Sequence, residues 1–135
     1  MATNWASIHH PLWRVGALLL RLLTVAGLAI DAYVHADLAG IEIHTEGVLF
    51  ALEAGASSLA ALLVLATGTR LAYAFAFVVA VSAFAAIMVY RYIDVGAIGP
   101  IPNMYEPVWF HEKTMAAIAE GAAMVTALGG IAGTD

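Results

Sequence analysis

The chain has 135 residues, of which 63% are hydrophobic and only 11% are charged, and its mean hydropathy is +0.91. A soluble globular domain is about 45–50% apolar and about 25% charged, so this composition indicates an integral membrane protein. The net charge of −5 argues against nucleic acid as a partner. The absence of cysteine excludes disulfides, thiolate metal sites and cysteine nucleophiles.

Four apolar segments account for most of the chain. Because a membrane-spanning helix needs about 20 mainly apolar residues, the sequence predicts spans at about 15–35, 47–67, 71–90 and 112–131. We expect the first span to be retained, not cleaved as a signal peptide. Four spans leave no room for a soluble domain, so residues 1–135 are predicted to form one all-α membrane domain, an up-down bundle of four antiparallel helices.

The segments outside the spans differ in character. The N-terminal segment between Trp5 and Trp13 is predicted to lie in the headgroup region of the bilayer. Gly68-Thr69-Arg70 predicts a short turn between the second and third spans. The longest connection, from Arg91 to Lys113, is rich in proline, glycine and aromatic residues, which predicts an irregular loop on the membrane surface. Pro107 is expected to open the first turn of the fourth helix.

The basic residues near the ends of the spans indicate the orientation. Arg14, Arg21 and Arg70 belong to one side, against Arg91 and Lys113 on the other. Since basic residues around the first span favour the cytoplasmic side, we expect a multi-pass protein of the plasma membrane with both termini in the cytoplasm.

Two stretches of the chain resemble a known family. They are the run from Tyr90 to Trp109, continued by Glu112-Lys113-Thr114 and Ala119-Glu120, and the stretch Tyr33-Val-His-Ala-Asp-Leu38. Together they resemble an uncharacterised family of small four-helix integral membrane proteins from high-GC Gram-positive bacteria. The resemblance covers most of the chain and implies the four-span topology, but it implies no reaction, substrate or cofactor.

Ionisable residues inside the spans are the strongest functional signal. Asp31 and His35 share one face of the first span, and Glu53 and Glu120 lie inside the second and fourth spans. At about 1.5 Å of rise per residue, the three carboxylates lie roughly 6–11 Å below the outer surface. The sequence therefore predicts that three helices bring three carboxylates to one level. His44 and His111 are predicted near the rim.

Such a cluster has several possible roles. Carboxylates in a low-dielectric interior share protons, pair with a base, or hold a cation. Inward carboxylates with an acid–histidine pair form metal sites in four-helix bundles, and these ligands suit Fe, Mn or Zn. A single acid–histidine pair favours a mononuclear site. The alternatives are hydrogen bonding between helices, with Arg21 or Lys113 neutralising one acid, and a site for protons, a quinone or an organic cation.

These features leave more than one function open. The first is an accessory or binding protein that packs in the bilayer against other subunits of a larger membrane complex, through the loop residues Tyr105, Trp109 and Phe110. The alternative is a membrane metal-binding oxidoreductase or metal-handling protein that uses Asp31, His35, Glu53 and Glu120. A small oligomeric transporter is a third. The chain has no phosphate-binding loop, nucleophile elbow or His-Glu-x-x-His motif, so hydrolase chemistry has no support in the sequence.

Overall fold

A computed structural model describes residues 5–41 and 45–134, and these form four helices. The helices are α1 (Trp5–Ile41), α2 (Thr45–Thr67), α3 (Arg70–Tyr92) and α4 (His111–Gly133). All four are long and apolar enough to cross a membrane, α1 through its part Leu12–Ile41. The described residues thus confirm the predicted all-α fold of four helices, each long and apolar enough to span a membrane.

α1 is longer than the predicted first span, and α4 begins after Pro107. α1 starts at Trp5 and continues to Ile41, because residues 36–39 contain no helix breaker before Gly40. α4 begins at His111 after Phe110, whose extended backbone has φ −123° and ψ 168°. The prediction that Pro107 opens α4 was therefore wrong. Instead, Lys113 Nζ donates to carbonyl oxygens of the preceding segment, at 2.6 Å and 2.9 Å, and holds that segment in an irregular conformation.

The turn between α2 and α3 is fixed by local and long-range hydrogen bonds. Gly68 has φ +59°, a left-handed conformation that glycine adopts without a steric penalty. Thr69 caps α3 by accepting a hydrogen bond from the backbone of Ala72 at 3.2 Å. Arg21 of α1 donates to the carbonyl oxygens of Val64, at 2.9 Å, and Leu65. These carbonyls belong to the last turn of α2, where helix carbonyls lack N–H donors further along the helix, and Val64 also accepts from the Gly68 N–H at 2.9 Å. Arg21 therefore acts as a cap.

Small residues let the helices approach closely. A Cβ atom added to Gly27 of α1 would lie 2.7 Å from the Ala119 carbonyl oxygen and 3.0 Å from Ala123 Cβ, both in α4. A Cβ atom on Gly130 would lie 2.4 Å from the ring of buried Tyr73 in α3. Helices in lipid associate through such close contacts. α4 is therefore held against both α1 and α3, which brings Glu120 beside α1.

The apolar core lies mostly in the half of the bundle next to the Gly68 turn. Its buried members on α2 and α3 are Ala60, Ala61, Val64, Ala72, Tyr73, Ala76, Val79 and Ala80. The buried ionisable residues lie in the other half, where α2 and α3 line a cavity of about 620 Å³. One half of the bundle is thus closed by packing, and the other half contains the candidate site.

Candidate functional site

The polar face predicted for α1 lies inside the bundle. Thr24, Leu28, Asp31 and His35 follow one another at intervals of three or four residues, and all four are buried. Thr24 Oγ1 lies 2.8 Å from Thr126 Oγ1 of α4, which links this face to the neighbouring helix. The same face then carries Asp31 and His35 into the half of the bundle away from the Gly68 turn.

Asp31, His35 and Glu120 come together in a buried group, which we call the carboxylate–histidine cluster. Each residue offers one ligand atom, and the three atoms lie within 4.8 Å of one another. His35 Nδ1 is 3.0 Å from Asp31 Oδ1 and 2.9 Å from the Asp31 carbonyl oxygen. Three of the four predicted site residues therefore lie close together: Asp31 and His35 from α1, and Glu120 from α4.

Glu120 has fewer hydrogen-bond partners than the other two members of the cluster. Its side chain is 1% exposed, and neither carboxyl oxygen has a hydrogen-bond partner in the part of the chain that the structure describes. A buried polar atom without a partner costs about 1–3 kcal/mol, and a buried charge costs more. Glu120 therefore needs either a proton of its own or a cation beside it.

Glu53, the fourth predicted residue, joins the cluster through Ser57. The Ser57 hydroxyl is buried and lies within hydrogen-bonding distance of Asp31 Oδ2 and, at 3.0 Å, of Glu53 Oε1. A hydroxyl has one proton, so Ser57 donates to one carboxylate at a time. The sequence analysis did not identify Ser57 as a site residue. The sequence signal that could have identified it is its position one helical turn after Glu53, because residues four apart on a helix are neighbours.

Replacing Ser57 by alanine is expected to destabilise the protein, because Asp31 and Glu53 lose their shared donor inside the bundle. The expected cost is about 1–3 kcal/mol. Reversible unfolding in mixed micelles measures it. Ser58→Ala is the matched control, since the Ser58 hydroxyl is exposed and donates to the Ala54 carbonyl of its own helix at 2.7 Å. Equal effects of the two substitutions would contradict the role given to Ser57.

The basic residues expected to neutralise the cluster are engaged elsewhere. Arg21 caps the end of α2, and Lys113 donates to the carbonyl oxygens of Glu106 and Val108. Across residues 5–41 and 45–134, no lysine or arginine forms an ion pair with the cluster. The prediction that Arg21 or Lys113 neutralises an acid was wrong, because the helix rotations direct both side chains to backbone carbonyls.

The remaining predicted residues lie around the cluster or outside the described residues. His44 falls in the segment that the structure does not describe, and His111 is the exposed first residue of α4. Tyr105 and Phe110 line the cavity. The Arg91 guanidinium lies 5.6 Å from the Trp109 ring centroid. Two of the three loop aromatic residues thus line the cavity, and all three are exposed. Partner binding by this loop stays a prediction.

Comparisons with models of protein families, with curated proteins and with solved structures gave no match. The resemblance to small membrane proteins of high-GC Gram-positive bacteria stays a prediction.

Proposed function

We propose that this chain is an integral membrane protein that binds one divalent transition-metal ion between α1 and α4. Asp31, His35 and Glu120 are its ligands. The observation that carries the proposal is Glu120, a buried carboxylate whose two oxygens have no partner among the described residues and which lies next to a second carboxylate and an imidazole. A divalent ion supplies the missing partner and balances the two carboxylate charges.

The donor atoms suit such an ion. Two carboxylate oxygens and one imidazole nitrogen are ligands for Zn, Fe or Mn. Ligand atoms bound about 2.1 Å from one metal ion lie roughly 3–4 Å from each other. His35 Nδ1 and Asp31 Oδ1 are 3.0 Å apart, so the two atoms can bind one ion when the proton between them is released. Three protein ligands leave a coordination position open for water or substrate. This arrangement fits a metal-handling protein or an oxidoreductase.

Ser57 and Glu53 extend the site beyond its ligands. Ser57 lies against the second oxygen of Asp31, and such a partner orients a metal-binding carboxylate. Glu53 lines the neighbouring cavity and is held by the same hydroxyl. We assign Glu53 the role of proton acceptor between the cavity and the cluster.

The proposed topology places the site in the outer half of the membrane. Along α1 and α4, Trp13 lies beside Gly133, Leu20 beside Gly129 and Gly27 beside Ala123, an order that supports antiparallel packing. We propose a single up-down bundle in the plasma membrane with both termini in the cytoplasm. The cluster is then closer to the outer surface, where Asp94 and Glu106 of the segment between α3 and α4 attract cations.

A cobalt titration tests the proposed site. Metal-free wild-type protein in mild detergent is expected to bind one equivalent of Co²⁺, followed by visible absorption. Glu120→Gln and His35→Gln are expected to weaken binding by at least about tenfold. Glu112→Gln is the control, because Glu112 lies in the first turn of α4 and outside the cluster. Wild-type protein that binds no Co²⁺, or variants that bind it equally well, would contradict the proposal.

A second candidate function is an accessory subunit of a larger membrane complex. Ala51, Gly55 and Ser58 form an exposed small-residue face on α2, and a Cβ atom on Gly55 would meet nothing within 4 Å. Another transmembrane helix packs closely on such a face. In gentle native gels we expect a complex that Gly55→Leu disrupts and that Ala122→Leu, on the exposed side of α4, preserves. Wild-type protein that migrates alone and cross-links to nothing would exclude this function.

A further inference from the structure

The cavity beside the cluster is large enough for an organic molecule. Its volume of about 620 Å³ lies within the range of about 300–1,000 Å³ that is usual for small-molecule sites. It exists because α3 presents the small residues Ser82, Ala83 and Ala86 opposite Phe50 and Glu53 of α2. The loop after α3 closes its outer end.

The lining of the cavity combines aromatic rings with negative charge. Four rings contribute to it, those of Phe50, Tyr90, Tyr105 and Phe110. Its charged lining residues are three glutamates and one lysine, namely Glu46, Glu53, Glu106 and Lys113. The lysine ammonium is directed to two loop carbonyls and lies 5.0 Å from the Phe110 ring centroid. The cavity is thus apolar, aromatic and net negative.

We propose that this cavity binds a lipophilic organic cation, such as a compact hydrophobic ammonium or phosphonium, with Glu53 as its counter-ion. Aromatic faces attract a desolvated organic cation through their quadrupoles, and a carboxylate in apolar surroundings adds a direct charge interaction. The proposal does not depend on the metal site.

The hydrogen-bonding groups at the Glu53 end of the cavity favour a cation over a quinone. A quinone needs donors for its two carbonyl oxygens. At the inner end of the cavity lie His35 and Glu53, and His35 Nδ1 is already directed to Asp31. Glu53 is held by the Ser57 hydroxyl through Oε1, and a carboxylate carries a second oxygen that can face a cation. This end of the cavity is therefore better suited to positive charge.

The cavity also has a route to the bilayer. Ser82 and Ala86 line it and are nevertheless exposed on α3. The gap between α2 and α3 therefore opens towards lipid in the half of the bundle away from the Gly68 turn. A cation that partitions into the membrane reaches Glu53 from the side.

Binding of two ions with the same shape and opposite charge tests the proposal. Purified full-length protein in mild detergent is expected to bind tetraphenylphosphonium saturably in equilibrium dialysis and not to bind tetraphenylborate. Glu53→Gln is expected to lower the affinity for tetraphenylphosphonium by at least about tenfold, whereas Glu112→Gln leaves it unchanged. Equal binding of the two ions, no saturable binding, or full affinity in Glu53→Gln would overturn the proposal.

A second variant separates the cavity from the metal site. Ala86→Trp fills the cavity from the exposed side of α3 and is expected to abolish tetraphenylphosphonium binding. Helical circular dichroism and a single elution peak establish that the variant is folded, and Ala122→Leu controls for added bulk. Wild-type protein that binds tetraphenylphosphonium but no Co²⁺ would overturn the metal proposal alone. Tetraphenylphosphonium binding to folded Ala86→Trp with wild-type affinity would overturn the cavity proposal alone.

Discussion

A divalent metal ion at 100 times the wild-type Kd is expected to stabilise the wild-type protein strongly and the Glu120→Gln variant by about half as much or less. A ligand that binds only the folded state adds about 2.7 kcal/mol at a concentration of 100 times its Kd. Because Glu120 supplies one of the three proposed ligand atoms in the cluster, a Kd that its replacement raises by tenfold or more leaves a gain of at most about 1.4 kcal/mol. Thermal unfolding in mild detergent, with and without Zn²⁺ or Mn²⁺, measures the difference.

Without metal, the expected order of stability of the two proteins is different. Without metal, Glu120→Gln is expected to be at least as stable as the wild type, because the amide donates a hydrogen bond where a second carboxyl group crowded Asp31. Glu112→Gln should follow the wild type under both conditions. The contradicting result is a Glu120→Gln variant that is less stable than the wild type without metal, together with no stabilisation of either protein by metal. The cluster would then serve only to hold α1 and α4 together by hydrogen bonds.

Substituting Gly27 by alanine is expected to weaken both the fold and metal binding at the proposed site. The new methyl group would lie 2.7 Å from the Ala119 carbonyl oxygen, and a backbone atom in a helix cannot rotate away. α1 and α4 must therefore separate, at a cost of about 1–3 kcal/mol. Asp31 follows Gly27 by one turn, and Glu120 lies next to Ala119, so the separation also pulls two ligands apart.

Gly55→Ala is the matched control for this prediction. A Cβ atom on Gly55 would meet nothing within 4 Å, so the substitution is expected to leave the packing and Co²⁺ affinity unchanged. It is expected to add up to about 1 kcal/mol from helix propensity. Unfolding in mixed micelles and Co²⁺ titration measure both properties. Equal behaviour of Gly27→Ala and Gly55→Ala would show that α1 and α4 are not held by close approach at Gly27.

The sequence could predict how the buried residues converge because helix geometry is regular. The spacing of Asp31 and His35 defines one face of α1, and a constant rise per residue sets the depth of Glu53 and Glu120. The structure brings Asp31, His35 and Glu120 within 4.8 Å of one another and links Glu53 through Ser57. The ends of α1 needed more than periodicity, because polar residues such as Asp37 can continue a helix beyond the apolar core.

Contacts that depend on helix rotation and loop conformation could not be predicted. Whether Arg21 meets a carboxylate or the end of α2 depends on how α1 is rotated against α2, which spacing within α1 does not determine. Pro107 is compatible with the first turn of a helix, but α4 begins only at His111. In the segment before it, the carbonyl oxygens of Glu106 and Val108 accept hydrogen bonds from Lys113. The close approach at Gly27 likewise depends on which helix lies opposite.

The most direct test of the metal site is the metal content of the protein as it is isolated. Wild-type protein and Glu120→Gln are purified in mild detergent without chelators and without a histidine tag, and elemental mass spectrometry measures both. We expect near-stoichiometric Fe, Mn or Zn in the wild type and a loss of that metal in the variant. Metal-free wild-type protein, or the same metal content in both proteins, would contradict a metal site formed by Asp31, His35 and Glu120.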